Sequence, residues 1–169
     1  MSEAAVRPEA NSQVVYRSEV RVDLKPGAIK SVSLPQETDP FPMGIHGAIA
    51  RHYKVPEGKF TPHAATLDYL VGSTAACLMG TLGRALTARQ IPVDSGRLKA
   101  DAVGEIESEN GVLVVRRIHV VAHLQADVSQ REAAERVISV YASQCPMHQS
   151  VCKAIDITTE LDFQPTTTV

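Results

Sequence analysis

From Ala64 to Arg89 the chain carries no proline and repeats Leu67, Leu70, Val71, Thr74, Leu78, Leu82 and Leu86 at intervals of three and four residues. That spacing puts them on one face of an α-helix. Gly72, Ala76, Gly80 and Gly83 keep a second face narrow, so that a helix or strand can approach the backbone closely. Gly72, Ser73, Gly80 and Gly83 each cost such a helix up to about 1 kcal/mol against alanine. Tertiary packing has to offset that deficit, so this helix is expected to be central and buried, with Pro92 ending it.

The flanking sequence reads as strands. Val14 to Asp23 alternates in polarity, Pro26-Gly27 marks a turn, and Ala28 to Leu34 completes a hairpin. A loop is expected over Gln36 to Met43, and Gly44 to Val55 reads as a third strand, alone or followed by a loop. Beyond the helix, Gly96 to Ser108 and Val112 to Ala126 are joined through Asn110-Gly111, the strongest short hairpin signal. Ser129-Gln130-Arg131-Glu132 reads as a capping box opening a second helix, whose apolar face is Ala133 or Ala134, Val137, Ile138 and Tyr141. A short helix follows from Cys145 to about Ala154, and Ile155 to Phe163 alternates as a last strand. The order βββ, α, ββ, αα, β predicts an α+β fold. The domain is expected over residues 13–163, with a disordered leader at 1–12 and a tail at 164–169.

Composition narrows the function. A chain of 169 residues with a net charge of -2 lacks the electrostatic footprint of a nucleic-acid or anionic-membrane binder. Its longest uncharged run, Tyr69 to Gly83, is 15 residues, short of the roughly 20 a membrane span needs. The first residues lack the order of a signal peptide, and a cytoplasmic location is expected. No Gly-x-Gly-x-x-Gly follows a strand and no phosphate loop is present, so no nucleotide, flavin or other cofactor is expected. An odd count of three cysteines argues against a secreted disulfide framework and for reduced or redox-active thiols.

Two of those cysteines have contrasting local settings. Cys77 lies within the long helix, where apolar burial raises a thiol pKa. Cys145 directly precedes Pro146 at a helix start, where the free N–H groups and the dipole favour thiolate. They stand 68 positions apart, so only the fold can bring them together. Both are also compatible with plain packing, since free cysteine is among the most buried residue types.

Taken together, several stretches resemble the OsmC/Ohr family (osmotically inducible protein C and organic hydroperoxide resistance proteins), in its OsmC-like branch. They are Leu67-Asp68-Tyr69-Leu70 leading to Ala75-Ala76-Cys77-Leu78, Gln90-Ile91-Pro92, the Asn110-Gly111 hairpin, and Ser143-Gln144-Cys145-Pro146-Met147 before Ile155-Asp156-Ile157. They cover roughly residues 14–163 in the family's order. The resemblance implies antiparallel sheets wrapped around long central helices in an intertwined homodimer. It implies a thiol peroxidase of organic hydroperoxides, with Cys77 as the peroxidatic thiol, Cys145 as the resolving thiol and an external dithiol as reductant. It further implies an arginine beside the peroxidatic sulfur. Arg51 holds the matching place, after a longer intervening loop than the family has, with Arg17 and Arg21 as alternatives. The hydroperoxide-resistance branch carries a glutamate ten residues before the cysteine. Here that place is Leu67, and Asp68 at nine before matches other branches. Asp68 either orients Arg51 or simply favours the first helical turn.

Two competing readings remain at this stage. Cys145, His148 and Cys152 share a helix face and, with Cys77, would make a Cys₃His metal site. Alternatively the chain is a non-enzymatic dimer that holds a small apolar ligand while its thiols merely pack.

Overall fold

The computed structural model describes residues 13–166. The expected leader at 1–12, like residues 167–169, lies outside the described residues. The chain divides into two compact units, one ending at Ala64 and one starting at Ala65.

In the first unit, β1 (Arg21–Lys25) and β2 (Ile29–Ser33) form an antiparallel hairpin in the register Arg21 opposite Ser33 to Lys25 opposite Ile29. The reversal at Gly27 and Ala28 has positive φ at both residues, 83° and 59°. A Cβ at Gly27 would also stand 2.6 Å from Phe60 Cδ1, so glycine is required twice over. The first strand starts later than its alternating sequence suggests. β2 ends at Ser33, so residues 13–20 overhang it with nothing in β2 to pair against.

The third strand differs from expectation. β3 is Phe41–Met43, inside the stretch expected to be loop, and Gly47–His52 is a short helix, α1, rather than a strand. Pro42 hides β3 from a sequence reading because it cannot donate to a ladder. It is tolerated since β3 pairs only with β2, at the sheet edge. Ala48, Ala50 and Arg51 are good helix formers, and Arg51 and His52 complement the dipole of the last turn.

The second unit is built on α2 (Thr66–Thr87), as its apolar period predicts. Leu78, Leu82 and Leu86 are fully buried, and Thr74 and Thr81 donate their hydroxyl groups to the carbonyls of Leu70 and Cys77, at 2.7 and 3.0 Å. Only one face is covered. Gly72, Ser73, Ala76 and Gly80 face outward, and no atom comes within 4 Å of where a Cβ would stand at Gly72 or Gly80.

Leu98–Glu109 (β4) and Val112–Asp127 (β5) form the long hairpin signalled by Asn110-Gly111, both with positive φ as a tight hairpin turn demands. A bulge at Arg116 shifts the register between Glu105 and Ile106. The last strand, β6 (Asp156–Thr166), pairs with β5 in parallel, so this sheet is mixed rather than purely antiparallel. A parallel neighbour needs a crossover. It is supplied by α3 (Arg131–Ile138), a 3-10 turn at Tyr141–Gln144 and α4 (Pro146–Val151).

The entry to α3 is capped two residues earlier than the Ser129–Glu132 box predicts. Asp127 accepts from the Ser129 N–H at 2.8 Å, and Gln130 Oε1 accepts from the Asp127 N–H at 3.3 Å. The box therefore opens a 3-10 turn at Val128–Gln130 that leads into α3. Ala134, Val137 and Tyr141 then seat the crossover against the inward side chains of the sheet, among them Ile118, Val120, Leu124 and Phe163.

α2 crosses β4 at Gly104. A Cβ there would stand 2.3 Å from Val71 Cγ2, so only glycine admits the helix at this distance.

Candidate active site

The fold brings Cys77 and Cys145 together. Cys77 is half-buried on α2 and Cys145 is fully buried at the N-cap of α4, and the two thiols are close enough for Cys145 to raise the pKa of Cys77. Both are reduced. The 3-10 turn carries the chain into the Cys145-Pro146 junction. Pro146 at the first helical position has no N–H to leave unsatisfied, and the Cys145 carbonyl accepts the first intrahelical bond, from the Gln149 N–H at 3.0 Å.

The first N–H groups of a helix have no intrahelical acceptor. In α4 the free N–H of Met147 lies near enough to Cys77 to lower its pKa. The helix start that carries Cys145 thus serves the other thiol. Sequence reasoning placed free N–H groups at this helix start but did not assign one to Cys77.

Burial pushes the Cys77 thiol above its ordinary value, and the Met147 N–H opposes that shift. Cys145 adds to the rise, both by hydrogen bonding and by charge. None of these groups within the second unit is a cation. Tyr141 stands next in the wall. It is 2% exposed, and its phenol is pushed above the usual range mainly by burial, with Cys145 adding to the rise. The Thr159 hydroxyl lies beside the phenol without the geometry of a hydrogen bond.

The other expected site residues are held within their own units. Asp68 sits in the first turn of α2, and its carboxylate accepts from the Ala65 N–H at 2.6 Å. That bond favours the start of α2. Arg51 belongs to the first unit, where it lines a pocket of about 290 Å³ with His46, Glu57 and Phe60. Arg21 pairs with Asp23 at 3.2 Å on an exposed surface, and Arg17 lies in the exposed overhang. Cys152 caps the C-terminal end of α4.

Among the described residues, no group of three or more His, Cys, Asp or Glu side chains is placed to hold a metal ion. The shared helix face of Cys145, His148 and Cys152 therefore does not close with Cys77 into a Cys₃His site. Nor is any helix among them long and apolar enough to cross a membrane.

An α+β fold that sets a helix-borne thiol against a second thiol at the start of a short helix defines a paired-thiol protein. The chain belongs to the OsmC-like protein family, whose profile matches residues 58–160. Solved structures share the fold at low identity. An OsmC-like protein of Mycoplasma pneumoniae superposes with a TM-score of 0.65 at 17% identity, over 89% of this chain and 99% of that one. An OsmC-like protein of unknown function from Vibrio cholerae gives 0.71 at 12%, over 88% and 100%. The organic hydroperoxide resistance protein OhrB of Bacillus subtilis gives 0.62 at 13%, over 88% and 100%. No curated protein matches the sequence significantly.

Proposed function

We propose that this protein is a thiol peroxidase that reduces organic hydroperoxides. The observation that carries the reading is the pairing of Cys77 with Cys145, one partly exposed and the other fully enclosed. A peroxide has access to the first thiol, and the second waits behind it.

The Cys77 thiolate attacks the outer oxygen of the peroxide, breaking the O–O bond. The alkoxide leaves and takes up a proton as the alcohol, and Cys77 becomes a sulfenic acid. The Cys145 thiolate attacks that sulfur, and hydroxide leaves as water with a proton. The resulting disulfide is reduced by an external dithiol through exchange. The Met147 N–H favours the charged forms of the Cys77 sulfur at each stage. Burial and Cys145 oppose ionisation of Cys77, so the reading requires a cation beside it. Arg51 is the proposed source, as the resemblance implies.

The same reading takes the protein to be a homodimer. The outward stripe of Gly72, Ser73, Ala76 and Gly80 on α2 fits the close approach of a second helix. Val14, Val15 and Tyr16 in the overhang are 68%, 87% and 68% exposed, which is costly for a lone chain.

A stoichiometric dose of cumene hydroperoxide tests the reading by thiol counting. Two thiols per chain are expected to disappear in the wild type and none in Cys77→Ser. In Cys145→Ser, Cys77 still oxidises but persists as sulfenic acid, captured by dimedone. Retention of all thiols in the wild type would reject the peroxidase, leaving a dimer whose thiols only pack.

A further inference from the structure

A second pocket lies in the Ala65–Thr166 unit, between the C-terminal part of α2 and the segment from Val137 to Gln144. It is an open groove of about 330 Å³, within the range of roughly 300–1,000 Å³ common for small-molecule sites, and both of its arginines are exposed. Arg84 and Arg89 line it, Val137, Val140 and Tyr141 supply apolar wall, and no acidic side chain contributes.

The two guanidinium groups lack anionic partners. Neither makes an ion pair among the described residues, whereas Arg21, Arg116, Arg117, Arg131 and Arg136 all do. The adjacent end of α2 takes up only one of their N–H groups. Its last carbonyls already have donors: Arg84 O accepts from the Ala88 N–H, Leu86 O from the Ile91 N–H and Thr87 O from the Gln90 N–H, at 3.1, 3.1 and 2.9 Å. Ala85 O accepts from Arg89 Nη1 at 3.0 Å, which holds that side chain in place and leaves its other N–H groups available.

We propose that this cavity binds a small amphipathic carboxylate, its head held between Arg84 and Arg89 and its alkyl part laid along Val137, Val140 and the Tyr141 ring. Planar forked donors match a carboxylate, and the apolar wall separates such a ligand from an inorganic anion. The proposal does not depend on the thiol chemistry.

Calorimetric titration of the reduced full chain with octanoate at low ionic strength is the test. The wild type should bind one octanoate per chain, and Cys77→Ser should bind it equally well, which separates this site from the peroxidase reading. Arg84→Gln and Arg89→Gln should each weaken binding by about tenfold or more, the loss expected for a charge-assisted hydrogen bond. Arg84→Lys, which keeps the charge, should lose less. Octan-1-ol and inorganic phosphate should not displace the ligand. The proposal is overturned if octanoate does not saturate, if both glutamine variants bind as the wild type does, or if phosphate competes on equal terms.

Discussion

Gly104→Ala tests how tightly the thiol-bearing helix is seated. The added methyl would stand 2.3 Å from Val71 Cγ2. Non-bonded carbons rest about 3.5–4.0 Å apart, so α2 and β4 must separate by roughly 1 Å or distort. Overpacking of this kind costs about 1–3 kcal/mol. Replacing a strand glycine by alanine returns about 0.5–1 kcal/mol of backbone entropy. The net loss is then centred on about 1 kcal/mol and at most about 2.5 kcal/mol, or a fall in Tm of roughly 2–4 °C and at most about 10 °C for a chain of this size. Val71 and Cys77 are six residues apart, ~9 Å along one rigid helix. A shift at Val71 therefore also moves the Cys77 sulfur relative to Met147 and Cys145, and disulfide formation should slow. Val71→Ala opens the space that the new methyl needs, so the double variant should recover both properties, with a coupling energy of at least ~1 kcal/mol. Denaturant melts and the rate of thiol loss on all four proteins provide the assay. An unchanged or raised Tm in Gly104→Ala, or penalties that simply add in the double variant, would refute the argument.

Three further outcomes are expected. Cys145→Ala removes two influences that raise the Cys77 thiol and leaves the Met147 N–H in place, so the Cys77 titration midpoint should fall, read from thiolate ultraviolet absorbance. Asp68→Ala removes the acceptor for the Ala65 N–H and a negative charge in the first turn, and should cost about 1 kcal/mol of stability in denaturant melts; if capping is its main role, oxidation of Cys77 by peroxide should barely change. His123 lies between Asp162 and Asp101, at 2.8 and 3.0 Å, and these carboxylates, Asp162 first, hold its pKa above the ordinary value. The folded value exceeds the unfolded one, so the stabilisation is complete below about pH 6.5 and fades as pH rises through the folded value. Wild type and His123→Gln should accordingly differ more in denaturant midpoint at pH 6 than at pH 9.

Much of the framework was legible in the chain. The leucine period of α2, the alternation of β4 and β5 and the Asn110-Gly111 turn are local signals, and each names its element because hydrogen bonding and side-chain direction repeat over a few residues. Local signals failed where the environment decides. Pro42 speaks against a strand, and only its place at a sheet edge makes β3 possible. Ser129 and Glu132 had the right spacing for a cap, but Asp127 and Gln130, with the same spacing two residues earlier, took that role.

The site divides along the same line. The identity and order of Cys77, Cys145 and Pro146 stand in the sequence, as does the helical setting of each. Their meeting does not, because the 67 intervening residues include a hairpin and a crossover whose path depends on which strands pair. The electrostatics of Cys77 were likewise decided in three dimensions. The local setting foretold a burial shift, but the opposing N–H comes from Met147, a neighbour through space only, and its effect depends on distance rather than on residue type.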